Sequence, residues 1–280
     1  MTLLDARNLA QSDAAEHLQL RRFFDLSLDL LTIADNTGRF LRVNPAMERL
    51  LGYSQTELAA MPGLSLVLAE DLDATEKELR KLWSGEPVTN FENRFLTKSG
   101  QTVWLSWSGL TNQEEGLCYL VARDVTAQKA TEARLRRQQQ ALADLMRHPA
   151  IQHGRLNEAI RAITETAART LEVARVSVWC FSEDRTRLTC RDLYEHDRDT
   201  HTSGEVLRVA DYPVYFDTVT RERSLCAPQA LADPRTREFA DTYFPKYGIQ
   251  ALLDVPVRIG GTVRGILCHE HVGSERRWTA

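Results

Sequence analysis

Leu30-Leu31-Thr32-Ile33-Ala34, Asp35-Asn36-Thr37-Gly38, Arg39-Phe40-Leu41-Arg42-Val43 and Asn44-Pro45 follow one another without a break. Two apolar-rich runs flank a turn in which Gly38 can take a positive φ, the signal of a β-hairpin. The chain then becomes helical at once. An Asn side chain accepts from the free N–H groups of a first helical turn, and Pro suits that turn because it has no N–H to lose. Pro45 to Leu51 therefore predicts a short helix, ended by Gly52. Ser54 and Glu57 have the spacing of a capping box for the next one. Asp71 to Trp83 predicts a third, stopped by Ser84-Gly85-Glu86-Pro87.

Outward from this stretch the pattern is orderly. Upstream, residues 9 to 26 read as a helix on which Leu18, Phe23 and Leu26 share a stripe. Downstream come three strands, Phe91 to Leu96, Thr102 to Leu110 and Leu117 to Val125. Two strands, several short helices and three strands are satisfied by a five-stranded antiparallel sheet with helices on one face. Thr126 to about Arg147 holds no Gly and no Pro and is rich in helix formers. Leu135 and Leu142 stand seven apart on it, a short coiled-coil seam interrupted by Gln139. His148-Pro149 ends this helix. A second domain opens with a helix from Leu156 to Leu171. Strands follow at Val176 to Phe181 and Arg187 to Tyr194, and a hairpin at Ala251 to His271 closes on Gly260-Gly261. The fold class is α+β: two domains, each an antiparallel sheet with flanking helices, joined by a long helix. The boundaries read as an N-terminal helix over 1–19, a first domain over 20–126, a connecting helix over 127–153 and a second domain over 154–280.

Bulk properties narrow the function. The chain has 280 residues, 43% of them hydrophobic and 26% charged, which suits globular domains rather than a disordered chain. Its net charge of −4 argues against a dedicated nucleic-acid binder. No apolar run is long enough to span a membrane, and Met1-Thr2-Leu3-Leu4-Asp5 lacks the basic start of a secretory signal. The five cysteines are scattered and form no C-x-x-C, which disfavours a disulfide framework or a zinc site and fits a cytoplasmic protein.

Residues 20 to 126 resemble a PAS domain. The resemblance rests on Asp35-Asn36-Thr37-Gly38, Val43-Asn44-Pro45-Ala46, Leu51-Gly52-Tyr53-Ser54, Lys98-Ser99-Gly100 and the closing Arg123-Asp124-Val125-Thr126. In such sensors an Asp-aliphatic-Thr segment couples the last strand to an outgoing helix, so the resemblance makes Asp124 and Thr126 signal-coupling residues. The second domain resembles a GAF domain on Ala232-Asp233-Pro234-Arg235-Thr236, Tyr247-Gly248-Ile249, Leu253-Asp254-Val255-Pro256-Val257 and Gly265-Ile266-Leu267. The family has a final helix, and Arg276-Arg277-Trp278-Thr279-Ala280 resembles its start. The chain thus resembles the N-terminal input region of a bacterial sensor histidine kinase or diguanylate cyclase.

The residues speak against chemistry. No G-x-x-x-x-G-K-[ST], H-E-x-x-H, G-x-S-x-G or G-x-G-x-x-G occurs, so no catalytic residue is assigned and no metal site. No cluster of titratable groups suggests a reactive cleft. The stretch from 20 to 126 has no His to ligate a haem. Flavin-binding relatives use amide side chains where this chain has Phe95, Leu105 and Ala122. Bilin-binding relatives use a Cys where it has Phe239, so no cofactor is expected. Strand alternation turns Phe91, Asn93 and Phe95 to the same side as Leu105, Trp107 and Ala122. This is either a packed core or a pocket for a small apolar effector fixed by Asn93. His269 and His271 can share a strand face, with His196 and His201 in a polar loop as further ligands. Ordinary solvated histidines are the alternative. The expected mechanism is strain passed down a parallel homodimer whose seam holds Leu135 and Leu142. The other reading is a ligand-free docking scaffold. No nucleic acid and no membrane insertion enter either.

Overall fold

The computed structural model describes residues 3–278, with side chains from Ala15 onward, and forms two compact units that divide between Ala133 and Arg134. The first begins with α1 (Leu3–Leu26), followed by the hairpin of β1 (Leu30–Asp35) and β2 (Phe40–Val43). Asp35 Oδ1 closes the turn by accepting from Thr37 N at 2.8 Å, Thr37 Oγ1 at 2.6 Å and Arg39 N at 3.1 Å, while Gly38 takes φ 78°. Asn44 is fully buried and serves two elements. Its Oδ1 caps α2 (Pro45–Leu51) by accepting from Met47 N at 3.2 Å and also accepts from Leu31 N at 3.1 Å. A short α3 (Gln55–Ala60) carries the complete Ser54/Glu57 capping box.

After α3, α4 (Leu72–Trp83) leads to β3 (Val88–Leu96), β4 (Thr102–Asn112) and β5 (Leu117–Asp124). Asp71, just before α4, grips Arg94 of β3 through Oδ2 to Nε at 2.9 Å and Oδ1 to Nη2 at 2.7 Å. The sheet order is β2-β1-β5-β4-β3, every pair antiparallel. Its inner face packs Phe95, Val103, Leu105, Trp107, Cys118 and Ala122 against Met47, Leu51, Leu58 and Leu82 of the helices. The α1 stripe is not part of this core. Leu18, Phe23 and Leu26 are exposed, because the helices after β2 already cover the face they would need.

Beyond Val125 runs α5 (Thr126–Arg147), the helix that the absence of Gly and Pro predicts. None of its residues is buried, and Leu135 and Leu142 are 53% and 64% exposed. His148 ends it and caps α6 (Pro149–Gln152), its Nδ1 accepting from Ala150 N at 3.3 Å.

In the second unit, α7 (Leu156–Leu171) is followed by β6 (Arg175–Phe181), β7 (Arg187–Glu195), β8 (Thr200–Thr202) and β9 (Val206–Arg208). The polar loop expected around His201 is thus partly strand. Next come α8 (Pro213–Arg221), β10 (Leu225–Ala227), α9 (Tyr243–Tyr247), β11 (Ile249–Ile259) and β12 (Thr262–Val272). The strands are ordered β10-β11-β12-β6-β7-β8, with β9 also on β7, and all pair antiparallel. A Cβ at Gly265 would meet Trp179 O at 2.4 Å, so β12 and β6 approach there as only Gly permits. One face of the sheet packs on α7 through Val176 and Tyr194. The other packs on α8 and α9 through Trp179, Ile266 and Cys268. Ser274 to Trp278 is not helical, contrary to the expected start of a final helix. Instead the Arg276 guanidinium binds Glu172 O at 2.7 Å and also Leu171 O, capping the last carbonyls of α7. Thr279 and Ala280 lie outside the described residues.

Candidate functional site

Between the first sheet and α4 lies a cavity of about 70 Å³. Phe91, Asn93, Phe95 and Trp107 line it, as strand alternation predicts, together with Phe40 and Leu79. Leu105 and Ala122 belong to the same inner face but are fully buried behind that lining. The walls are mostly apolar, and the polar groups in them are occupied: Glu78 pairs with Lys81 at 2.5 Å. Asn93 Oδ1 accepts from Trp107 Nε1 at 2.9 Å, and Nδ2 donates to Thr75 Oγ1 at 2.9 Å. Thr75 in turn donates to Asp71 O at 2.7 Å. Asn93 is therefore first a clamp between α4, β3 and β4, not a free anchor waiting for an effector. Phe95 and Trp107 pack with ring centroids 5.4 Å apart. Trp83 packs beside the core without lining the cavity, and its Nε1 has no hydrogen-bond partner.

The opposite side of the same strands holds the start of α5. Asp124 Oδ1 accepts from Thr126 N at 2.9 Å and from Thr126 Oγ1 at 2.5 Å. The Thr126 hydroxyl oxygen accepts from Trp104 N of β4 at 2.9 Å. One turn on, Lys129 binds Glu92 of β3 at 2.5 Å and lies 5.6 Å from the Trp104 ring centre. Glu92 and Asn93 are neighbours in β3, so one holds α5 while the other lines the cavity. Trp104 and Trp107 divide the same tasks on β4.

A second cavity, with about 30 Å³ of space, lies between the second sheet and α8 and α9. Tyr215, Phe239, Tyr243 and Phe244 are among its walls, while Asp254, Cys268 and Glu270 are set in its sheet side. Tyr215 Oη donates to Asp254 Oδ2 at 2.5 Å. Asp254 Oδ1 has no hydrogen-bond partner although the residue is 1% exposed. Burial pushes the Asp254 carboxyl up to about 7, against the smaller pull of Tyr215 and Cys268. Glu270 is also buried, but Arg175 Nε donates to it at 2.8 Å, and Arg175 Nη1 binds Glu195 at 2.8 Å. The Arg175 guanidinium lies 4.0 Å from the centre of the Tyr247 ring. This is a cluster of titratable groups that the sequence reading did not foresee.

Residues 40–122 match the family model for the PAS fold, and residues 155–280 match that for the GAF domain. The chain is a PAS domain followed by a GAF domain. Over 107 residues it is 32% identical to the probable diguanylate cyclase DgcE of Escherichia coli K12, covering 36% of this chain and 10% of that protein. Over 138 residues it is 25% identical to the sensor histidine kinase TmoS of Ectopseudomonas mendocina, covering 48% of this chain and 14% of that protein. The chain spans between 10% and 18% of the length of three curated relatives it matches. Among solved structures it is similar to a domain of a sensory box sensor histidine kinase/response regulator from Geobacter sulfurreducens, at 25% identity and TM-score 0.35, covering 39% of this chain and 94% of that one. It is also similar to the chromophore-binding domain of a Stigmatella aurantiaca bacteriophytochrome, at 13% identity and TM-score 0.41, covering 89% and 86%. PAS and GAF are sensory input domains, here homologous to those of sensor histidine kinases and a diguanylate cyclase.

The histidines of the GAF domain do not converge on its cavity. Cys268 and Glu270 face it, so His269 and His271 alternate to the α7 side of the sheet. His269 Nδ1 is 2.8 Å from Leu253 O, and His271 Nε2 is 3.2 Å from Ser274 Oγ. Burial pushes both imidazoles down. His201 sits elsewhere, its Nδ1 2.9 Å from Asp192 and its Nε2 3.2 Å from Glu165, with Thr164 donating to Asp192 at 2.6 Å. Among the described residues no group of three or more His, Cys, Asp or Glu is arranged to hold a metal. All five cysteines are free thiols. Burial pushes Cys190 up to about 12 and Cys268 well above its ordinary value, which holds both as unreactive thiols. Phe239, at the position compared with a bilin-bearing Cys, stacks on Tyr212 at 4.2 Å.

Proposed function

We propose that this chain is the signal-receiving region of a longer bacterial sensor histidine kinase, in which the PAS cavity senses and α5 transmits. The observation that carries the reading is the back-to-back use of β3 and β4. Asn93 and Trp107 form the cavity wall, while Glu92 and Trp104 hold the first turn of α5. A small apolar or weakly polar molecule in the cavity would spread these strands. The shift would reach α5 through the Thr126 hydroxyl and the Lys129 ammonium, because a rigid helix passes a tilt along its length.

The exposed Leu135 and Leu142 give α5 an apolar seam, and the partner proposed for it is a second copy of the chain in parallel. The setting proposed is the cytoplasm. Among the described residues no helix is long and apolar enough to cross a membrane. A diguanylate cyclase output is the alternative parent, supported by the similarity to DgcE. A docking scaffold without a ligand is a second reading, favoured by one observation: Asn93 already has partners on both ends of its amide.

Two measurements test this. Native mass spectrometry of the purified protein should show a stoichiometric small molecule; an empty protein that still regulates its parent favours the scaffold. Inserting one residue after Ala133 rotates the rest of α5 by about 100° and should abolish or invert regulated output. Normal regulation after the insertion would end the proposal.

A further inference from the structure

We infer that the GAF cavity is a binding site for a small cation that donates hydrogen bonds, ammonium itself or methylammonium, held by the Asp254 carboxylate. This goes beyond the reading of the PAS cavity and does not depend on it.

The inference begins with an atom that lacks a partner. Asp254 lines the cavity; its Oδ1 is buried with no hydrogen-bond partner, Oδ2 is satisfied by Tyr215, and the neighbouring Cys268 thiol, a weak donor, gives the carboxylate only a minor pull. A buried polar atom in this state costs free energy unless something fills the space before it. Charge points the same way. The groups facing Asp254 are Tyr215 from α8, Tyr243 from α9, and Cys268 and Glu270 from β12. None carries a positive charge. Arg175, from β6, is already shared between Glu270 and Glu195. Two carboxylates therefore draw on one guanidinium, and Asp254 draws on none.

The walls and the size select the ligand. Aromatic faces attract cations through their ring quadrupoles, and Tyr215, Phe239, Tyr243 and Phe244 surround the space. About 30 Å³ excludes a nucleotide or a tetrapyrrole and suits a group near the size of water. Water would give Oδ1 a donor but no counter-charge. An ammonium supplies both, with further N–H groups left for the surrounding rings. A proton on Asp254 is its competitor, since the carboxyl titrates at about 7.

The test uses the complete chain and isothermal titration with chloride salts at constant ionic strength. Ammonium or methylammonium should bind saturably at pH 8, whereas sodium, potassium and tetramethylammonium should not. Binding should weaken roughly tenfold at pH 6, because the proton then occupies the site, and about one proton should be released per cation bound there. Asp254→Asn should abolish the signal. An equal response to potassium, which donates no hydrogen bond, overturns the assignment, as does binding that survives in Asp254→Asn. If that variant does not fold, proton release in the unaltered protein decides: ammonium binding at pH 6 without it would place the cation elsewhere.

Discussion

The PAS and GAF cavities each lie between a sheet and its covering helices, and they are built from opposite materials. The PAS cavity is lined mostly by rings and aliphatic groups; its one carboxylate, Glu78, is half-buried and paired with Lys81 at 2.5 Å, and its buried amide, Asn93, has a donor and an acceptor in place. The GAF cavity has Asp254 and Glu270 in its wall, and one carboxylate oxygen without a partner. An apolar cavity with satisfied polar groups is tolerant: it stays empty at small cost or accepts an apolar guest. A cavity holding an uncompensated acid is demanding, because the charged form needs a counter-ion and the neutral form must keep its proton.

The largest expected effect breaks the GAF network. Arg175 is buried, and Arg175→Met leaves Glu270 buried without its cation. Removing one partner of such a pair costs about 3–5 kcal/mol. The unfolding transition of the GAF domain in urea should move to much lower denaturant, with that of the PAS domain unmoved. A loss under about 1 kcal/mol would mean that the pair behaves as a surface contact, and the contrast between the cavities would fail.

Asp254→Asn should act in the opposite direction. The Asp254 carboxyl is raised in the folded protein, from 3.8 to about 7. The folded state therefore holds a proton that the unfolded state has released between these values. Stability is fully present below pH 3.8 and is lost as pH rises towards 7. Asn imitates the neutral acid and removes this loss. Relative to the unaltered protein, the variant should gain roughly 2–3 kcal/mol between pH 5 and pH 8, at about 1.4 kcal/mol per pH unit. Urea titrations at the two pH values measure it. An unchanged difference would show that Asp254 is ionised without penalty, and saturating ammonium in the unaltered protein should flatten the same pH dependence.

On the PAS side, Asn93→Ala strands the Trp107 N–H and one side of Thr75. Leaving buried groups unpaired costs about 1–3 kcal/mol. The loss should be independent of pH over the window in which Asp254 titrates, which separates the two cavities by experiment. A loss that follows Asp254 in its pH dependence would undo that separation.

The contrast also explains how much of each cavity is legible in the sequence. Phe91, Asn93, Phe95, Leu105, Trp107 and Ala122 were legible because apolar residues at alternate positions on three strands identify an inner face. The free volume was not, since it depends on Phe40 and Leu79 from outside those strands failing to fill the space. Asp254 was misleading for the same reason that Phe95 was clear. In Leu252-Leu253-Asp254-Val255 the rule of alternation sends the charged residue to solvent. Cys268-His269-Glu270-His271 has a polar or thiol side chain at every position and gives no face at all. Only pairing with Arg175, 95 residues away in sequence, makes burial of Glu270 tolerable. The α1 stripe fails differently. Leu18, Phe23 and Leu26 have helical spacing, yet spacing does not say whether a partner surface within the chain is free.

The smallest effect is the most informative about transmission. Thr126→Val keeps the branched shape and removes the hydroxyl that accepts from Trp104 N and donates to Asp124. Thr126 is half-buried, so water replaces part of what is lost, and a destabilisation of about 0.5–1.5 kcal/mol follows. That is too little to unfold the PAS domain and too little to empty its cavity. It removes the hydrogen bond between β4 and the first turn of α5, while Lys129 still holds Glu92 and lies by the Trp104 ring. Hydrogen exchange should then quicken at the amides from Thr126 to Ala130 and stay unchanged at Phe95 and Trp107. If protection at the cavity strands falls equally, wall and helix start move as one body and the hydroxyl is not the link. If protection at neither place changes, α5 is held by its salt bridge alone, and Lys129→Ala becomes the variant that separates cavity from helix.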